Sequence, residues 1–239
     1  MQKNEDDDRQ LTLTCQGVGE YSSLVSTTTI RQSSPGIYLN DHFDWLQEGK
    51  EDYYYNYPEQ SISVWTAEEL SHGWTSLNPS PALYGGHGYI KLGKTNVAGD
   101  ALSPKLSGII GKANVNLTFK CIGYVSKGGA KDDGVIRVMV VGPGTIVGQD
   151  LVNMTVGNQT GKAASFDVTV FPNSSKNENG ADFNPWAQPE ASFSLNIEGA
   201  TKDTQILFIG GVAWGSELKG QGQGKNRLLL DDIKVKKNV

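Results

Sequence analysis

Short stretches rich in Val, Ile, Phe and Thr recur along most of the chain, with apolar and polar residues alternating in many of them. Each stretch is bounded by Gly, Asn, Asp or Pro. The stretches are GYIKLG, ANVNLTFKCIGYV, GVIRVMVVG, SFDVTVF, SFSLNIEG, TQILFIGGV and NRLLLDDIKV. No helical pattern of about 10 to 15 residues separates them, which excludes a doubly wound α/β fold. The pattern predicts an all-β protein, a two-sheet antiparallel β-sandwich of the jelly-roll type.

One short segment breaks this pattern and predicts a helical turn. In WTAEELSHGW, Thr66 is followed three residues later by Glu69, which is the spacing of a capping box. Gly73 then provides a residue that can end a helix. We therefore expect little helix beyond residues 66–72.

Acidic residues interrupt two of the apolar rows. Strict alternation in NRLLLDDIKV puts Asp231 on one face with Leu229, Ile233 and Val235. Asp41 similarly interrupts the apolar row of IYLNDHFDWL. A turn cap, backbone hydrogen bonds at the sheet rim, or a β-bulge that turns Asp231 outward would each explain its position.

The alternating pattern divides the chain into three parts. Residues 37–239 are predicted to form the sandwich domain, and residues 11–36 to supply one or two extra strands or a linker from an upstream region. Residues 1–10, MQKNEDDDRQ, are predicted to be a flexible tether. This segment resembles the acidic spacer that follows the lipidated cysteine of bacterial surface lipoproteins, which implies a lipid-anchored protein at the cell surface or in the periplasm. An ordinary disordered terminus is the alternative.

Composition and charge narrow the range of partners. The formal net charge is −5 and no basic cluster dominates a segment, so nucleic-acid binding is not expected. No run approaches the ~20 apolar residues of a membrane helix, so membrane insertion is not expected either. Cys121 falls in the apolar row of ANVNLTFKC and is predicted to be a buried hydrophobe. A disulfide between Cys15 and Cys121 in an oxidising compartment is the alternative.

No motif in the sequence indicates a catalytic centre. Sandwich enzymes of the laminarinase type carry an E-x-D-x-x-E strand, which does not occur here. Two adjacent acid pairs, Glu68-Glu69 and Asp132-Asp133, match the short helix and a turn, and the three histidines lack zinc-site spacing. We therefore predict that the protein is not an enzyme.

Two polar segments carry aromatic residues that could stack on a sugar ring. Tyr54 and Tyr55 lie in EDYYYNYPEQ, and Trp186 lies in NENGADFNPWAQPE. Sugar binding needs flat aromatic faces together with amide and carboxylate groups, and both segments contain them. The alternative is that these aromatic residues cover the rim of the core.

The order HFDWL, GW, GYIKLG, LSPKLSGIIGKANVNLTFKC and RLLLDDIKV resembles that of galactose-binding-like jelly rolls. In particular it resembles carbohydrate-binding-module-like domains of bacterial surface and periplasmic polysaccharide-utilisation proteins, over residues 37–239. The resemblance implies that the first and last strands are neighbours and that a structural calcium ion sits at their edge. By position, Asp231 and Asp44 would be its ligands, with Asp41 as second choice. Calcium accepts six to eight oxygen ligands in flexible geometry, which suits such an edge.

These observations predict a non-catalytic, extracytoplasmic carbohydrate-binding module that binds a polysaccharide or oligosaccharide. The first alternative is an adhesion or assembly module that binds protein. The second is a glycoside hydrolase with loop-borne carboxylates, which would need two carboxyl groups about 5 to 9.5 Å apart.

Overall fold

The computed structural model describes residues 9–32, 36–49, 59–95, 97–173, 183–210 and 225–238. Strands make up 51% of the described residues and helices 9%, so the predicted all-β class is confirmed. The chain divides into two compact units, Met1–Ile37 and Tyr38–Val239. Within the described ranges, no helix has the length and apolar character needed to cross a membrane.

The described residues contain fifteen strands and one α-helix, α1 at Ala67–Ser71. The first three strands are β1 Arg9–Gln16, β2 Val25–Gln32 and β3 Ile37–Asp41. The next are β4 Gln60–Ser61, β5 Leu83–Gly85, β6 Ile90–Leu92, β7 Gly99–Leu102 and β8 Ala113–Gly123. The remainder are β9 Val135–Val141, β10 Thr145–Val147, β11 Leu151–Val156, β12 Gln159–Asp167, β13 Ser192–Ala200, β14 Gln205–Gly210 and β15 Leu228–Lys237.

The first unit is an antiparallel hairpin of β1 and β2. The register runs from Arg9 opposite Gln32 to Gln16 opposite Val25. Its two strands occupy the segment for which the alternating pattern predicts one or two extra strands. Arg9 and Gln10, which were predicted to belong to the tether, already lie in β1, and residues 1–8 fall outside the described ranges.

The second unit is a β-sandwich of two antiparallel sheets. One sheet has the order β10-β13-β8-β15-β6-β5-β4, with β3 also paired to β15, and the other has the order β11-β12-β9-β14-β7. The core between them is built from alternate residues of both sheets, such as Leu117 and Phe119 of β8 and Phe208 of β14. Cys121 lies in this core with no exposed surface, as predicted, and both cysteines are free thiols. The architecture is compatible with a jelly roll.

The predicted capping box is present at α1. The Glu69 N–H donates to Thr66 Oγ1 at 3.2 Å, and the Thr66 N–H donates to Glu69 Oε2 at 2.6 Å. Gly73 follows the C-cap with a φ of 82°, a left-handed conformation that favours glycine. The helix is therefore terminated at both ends by the residues that the sequence indicates.

A β-bulge interrupts the last strand. Leu230 lies opposite Cys121 and Asp231 opposite Lys120, but the next pair along the two strands is Lys234 with Thr118. Strand β15 therefore has one more residue than β8 at this point, and Asp232 adopts a left-handed φ of 51°.

The bulge makes the strict-alternation prediction for this strand wrong. Leu228 and Leu230 before it, and Ile233 and Val235 after it, all belong to the central core. Leu229 instead belongs to a smaller cluster that also contains Tyr89 and Ile122. Asp231 therefore does not share the core row of Ile233 and Val235, and the bulge alternative is confirmed.

Candidate functional site

A cluster of charged side chains surrounds the bulge in β15. Asp232 contacts His42 Nδ1 at 2.6 Å and Lys120 Nζ at 2.7 Å through its two carboxylate oxygens. Burial alone would raise the pKa of Asp232, but the hydrogen bonds from Lys120 and His42 outweigh it and lower that pKa. Burial and the neighbouring charge of Asp232 raise the pKa of Asp231 to about 7, although the hydrogen bond from the Asp232 N–H acts to lower it. The bulge thus pairs an ionised carboxylate with one that is readily protonated.

Asp41 is buried, and three N–H groups donate hydrogen bonds to its carboxylate. The backbone N–H of Phe43 and the indole N–H of Trp45 donate to Oδ1 at 2.9 and 3.0 Å. The indole N–H of Trp74 donates to Oδ2 at 2.6 Å. Phe43 has a φ of 52°, so the chain turns tightly around this carboxylate. These hydrogen bonds explain the acid in the first apolar row without an ion.

The three acids predicted to bind calcium do not form one described cluster. Strand β3 does pair with β15, but the side-chain contact across them joins His42 to Asp232 rather than Asp41 to Asp231. Asp44 is exposed, and its backbone carbonyl accepts from Gln47. Among the residues that the structure describes, no group of three or more His, Cys, Asp or Glu side chains is placed to hold a metal ion. Calcium binding therefore stays a prediction.

Replacing Asp231 by asparagine is expected to raise the melting temperature by several degrees at pH 7–8 if no ion binds there. The pKa of Asp231 is about 7 in the folded protein and about 3.9 in an unfolded chain. Between these values the folded state holds a proton that the unfolded state has released, so stability falls as the pH rises from about 4 to 7. Asparagine does not titrate, so the variant does not lose stability over this pH range. Thermal unfolding from pH 4 to 8, with a chelator present, measures it.

Asp232→Asn is the matched control for this experiment, because asparagine also tolerates the left-handed backbone. It should destabilise the protein at neutral pH, since the lowered pKa of Asp232 contributes stability that disappears only as the pH falls through that pKa. A bound calcium reverses the sign for Asp231. In that case a chelator lowers the melting temperature of the wild type, and Asp231→Asn destabilises the calcium-loaded protein.

Trp186 lies in a short 3₁₀ turn and is half-buried. The turn spans Pro185–Ala187, and Asn184 caps it by accepting from the Trp186 N–H at 2.9 Å. The indole packs beside Tyr89, with ring centroids 6.4 Å apart, on the cluster that contains Leu229. These contacts are those of a residue that covers the sheet, and a sugar-binding role for its exposed part stays a prediction. Tyr54 and Tyr55 lie outside the described residues.

A cavity of about 460 Å³ opens where β9 begins and β12 ends. Its lining comes from two segments, one that leads into β9 and one that runs on from the end of β12. It includes Lys131, Asp132, Val135, Asp167, Thr169 and Phe171. This volume lies within the ~300–1,000 Å³ range of small-molecule sites. The cavity therefore has the size to receive a ligand such as a sugar unit.

Two glycines leave room for the aromatic ring of this cavity, that of Phe171. A Cβ atom on Gly123 would lie 2.1 Å from a ring carbon of Phe171, and one on Gly134 would lie 3.3 Å from another. Only glycine at position 123 leaves room for the ring. The Lys131 ammonium lies 4.9 Å from the ring centroid, so the ring is already in contact with an exposed cationic side chain.

The carboxylates of the cavity differ in their environment. Asp132 is buried and accepts from Arg227 Nε at 2.5 Å and Nη2 at 2.7 Å. Asp167 is exposed, as are Lys131 and Thr169. The lining therefore offers one aromatic ring, one accessible carboxylate, one ammonium and one hydroxyl, with the charges of Lys131 and Asp167 in balance.

This cavity was not predicted from the sequence. Thr169 and Phe171 belong to the predicted stretch SFDVTVF, but strand β12 ends at Asp167, and Lys131 belongs to the turn GGAKDDG. An aromatic residue directly before a proline at the end of a strand was the available signal. Nothing in the sequence indicates that residues about 40 positions apart line the same cavity, because antiparallel pairing of β9 with β12 brings them together.

No protein-family model matches this chain, and no curated protein matches it. Its function must therefore be inferred from the geometry of the sites described above.

Proposed function

We propose that the second unit is a non-catalytic carbohydrate-binding module of the galactose-binding-like jelly-roll type that acts outside the cytoplasm, at the cell surface or in the periplasm. The observation that carries this proposal is the cavity around Phe171. A pyranose ring has an apolar face that packs on an aromatic ring and a rim of hydroxyls that need hydrogen-bond partners. Phe171 supplies the first, and Asp167 and Thr169 supply the second.

The chemistry of the lining favours binding over hydrolysis. Glycoside hydrolysis uses two carboxyl groups, one on each side of the scissile bond. Of the two carboxylates that line this cavity, Asp132 is engaged in a bidentate ion pair with Arg227, which leaves Asp167 as the accessible one. Lys131, on an exposed and flexible side chain, moves off the ring to admit the sugar. A neutral sugar fits best, because Lys131 and Asp167 carry opposite charges.

Replacing Phe171 by alanine is expected to weaken glycan binding by about 1–3 kcal/mol, or roughly 5- to 150-fold in Kd, because an aromatic anchor is lost. Affinity electrophoresis or a glycan array identifies a ligand for the wild type, and calorimetry then measures the variants. Asp167→Asn provides a second variant on an exposed side chain, which leaves the packing intact. Tyr21→Ala is the matched control, since Tyr21 is an aromatic residue that is 59% exposed and belongs to the first unit.

Three outcomes separate the alternatives. Loss of binding in the Phe171 and Asp167 variants with the Tyr21 variant unchanged supports the cavity. Loss of binding in Trp186→Ala alone places the sugar at the 3₁₀ turn instead. A wild-type protein that binds no plant, bacterial or host polysaccharide contradicts carbohydrate binding and favours the adhesion or assembly role.

A further inference from the structure

Four buried charges form two ion pairs around the ring of Tyr124. Lys91 donates to Glu59, and Arg227 donates to Asp132. The Lys91 ammonium lies 5.5 Å from the centroid of the Tyr124 ring, and the central carbon of Arg227 lies 3.8 Å from it. Each of these two acids has a basic side chain as its partner, so the four charges balance.

Asp133 is a further buried acid beside these pairs, next to Asp132 in the loop before β9. It is 1% exposed. In the part of the chain that the structure describes, neither of its carboxylate oxygens has a hydrogen-bond partner. Its backbone N–H is engaged, because it donates to the Lys225 carbonyl at 2.5 Å. Burial and the charge of Asp132 both raise the pKa of Asp133.

The unpartnered carboxylate of Asp133 indicates that a ligand with positive charge binds there. A buried carboxylate is costly when nothing replaces the water that it has lost. Protonation removes the charge, but the new O–H group then needs an acceptor of its own. A cation, in contrast, can bind both carboxylate oxygens at once.

The oxygen atoms at Asp133 suit a hard metal cation. Calcium binds carboxylates through one or both oxygens, accepts backbone carbonyls and waters as further ligands, and tolerates irregular geometry. The Lys225 carbonyl retains a second lone pair when it accepts from the Asp133 N–H. Asp132 and Gly134, the residues on either side of Asp133, line the cavity described above. The cavity therefore gives an ion and its water ligands a route to this loop.

We propose that Asp133 binds a metal cation, with calcium as the expected ion, through the two oxygens that the fold leaves unpaired. The site is distinct from the one predicted at Asp231, Asp44 and Asp41. One free carboxylate with carbonyl and water oxygens makes a weak site, so we expect a dissociation constant of about 10⁻⁴–10⁻³ M. Ion binding at Asp133 does not depend on carbohydrate binding by the second unit.

Calcium titration of the full chain tests this site. Protein stripped of metal by a chelator and dialysed is melted at rising calcium chloride concentrations, with choline chloride keeping the ionic strength constant. If the folded state alone binds the ion, the melting temperature rises as the calcium concentration passes the dissociation constant. Sodium and potassium chloride, used in the same way, show whether a monovalent ion is sufficient. Terbium luminescence excited through tyrosine gives a direct binding signal, which calcium should displace.

Asp133→Asn and Asp150→Asn form a matched pair, since Asp150 is an exposed acid outside this cluster. Asparagine keeps the shape of the side chain but removes its charge. The proposal expects Asp133→Asn to weaken the apparent calcium affinity at least tenfold and Asp150→Asn to leave it within about twofold. Asp231→Asn should also leave it within about twofold. A response to sodium or potassium that Asp133→Asn abolishes supports a monovalent ion at the same site.

Two results would overturn the proposal. One is a calcium response that Asp231→Asn abolishes and Asp133→Asn retains, because the ion then binds at the terminal strand. The other is a wild-type protein whose melting temperature responds to none of these ions and that gives no terbium signal. This second measurement uses the wild type alone, so it does not depend on how well any variant folds.

Discussion

Replacing Arg227 by methionine is expected to lower the free energy of unfolding by about 3–5 kcal/mol, the cost of leaving a buried charge without its partner. Arg227 is 8% exposed and Asp132 is 4% exposed. The guanidinium donates two hydrogen bonds to the two carboxylate oxygens, and its central carbon lies 3.8 Å from the centroid of the Tyr124 ring. Methionine keeps the length of the side chain and removes the charge, so Asp132 is left buried as an uncompensated anion. Urea unfolding of both proteins measures the difference.

Two controls separate the lost charge from lost packing. Adding Asp132→Asn to the Arg227→Met variant removes the uncompensated charge, and we expect it to restore most of the stability. Lys105→Met breaks a comparable contact, the 2.9 Å ion pair of Lys105 with Asp203, whose side chains are 57% and 52% exposed. This surface pair should contribute about 1 kcal/mol or less. A cost below about 1 kcal/mol for Arg227→Met would mean that Asp132 is neutralised by protonation instead.

Loss of the Arg227–Asp132 ion pair should also affect the cavity, because Asp132 forms part of its wall. Arg227 directly precedes β15, whereas Asp132 lies in the loop before β9. Their ion pair therefore fixes the loop against the start of the last strand, beside the segment that contains Phe171. After correction for the fraction of protein that is unfolded, the Arg227→Met variant should still bind glycan more weakly than the wild type. The double variant should recover this binding only in part.

Features that depend on local sequence were predicted correctly. The capping box of Thr66 and Glu69 lies within one helical turn, so its spacing is visible in the sequence. Strands such as β8 follow strict alternation because one face packs in the core and the other does not, and Cys121 was placed in the core on that basis. The all-β class follows from many such segments, each bounded by turn residues.

The terminal strand shows why alternation is not sufficient. A single extra residue at Asp231–Asp232 exchanges the two faces, so Leu230 and Ile233 point into the same core although they are three positions apart. The local sequence does not reveal the bulge, because its stability comes from partners distant in the chain. His42 and Lys120 hold Asp232, and neither is near it in sequence.

The candidate site could not be predicted for a related reason. Phe171 occupies its position mainly because Gly123 lacks a side chain, with a smaller contribution from Gly134, and those glycines belong to other segments of the chain. Two glycines in a chain with 29 give no signal of this role. Asp132 was assigned to a turn, but it is buried and paired with Arg227, which is 95 residues away.

Replacing Asp41 by alanine is expected to destabilise the second unit by about 3 kcal/mol or more, because several N–H donors lose their acceptor in a buried site. Trp74 has no exposed surface, so its indole N–H has no water to replace the lost carboxylate. The backbone N–H of Phe43 and the indole N–H of Trp45 lose Oδ1 at the same time. Chemical unfolding gives the free energy, and tryptophan fluorescence of the folded variant reports whether the turn around Asp41 has opened.

Replacing Asp41 by asparagine instead distinguishes hydrogen bonding from calcium binding at this position. Asparagine at this position offers one oxygen where aspartate offers two, so at least one indole N–H faces an amide NH₂ and the variant is destabilised with or without a chelator. If Asp41 is a calcium ligand instead, chelator-treated wild type and Asp41→Asn should have the same stability, because both lack the ion. Asp44→Ala is the matched control, since Asp44 is an exposed acid three residues away and its loss should change the free energy of unfolding by no more than about 0.5 kcal/mol. A cost for Asp44→Ala that equals the cost for Asp41→Ala, and that disappears in chelator, would establish the shared metal site and contradict the hydrogen-bonding role.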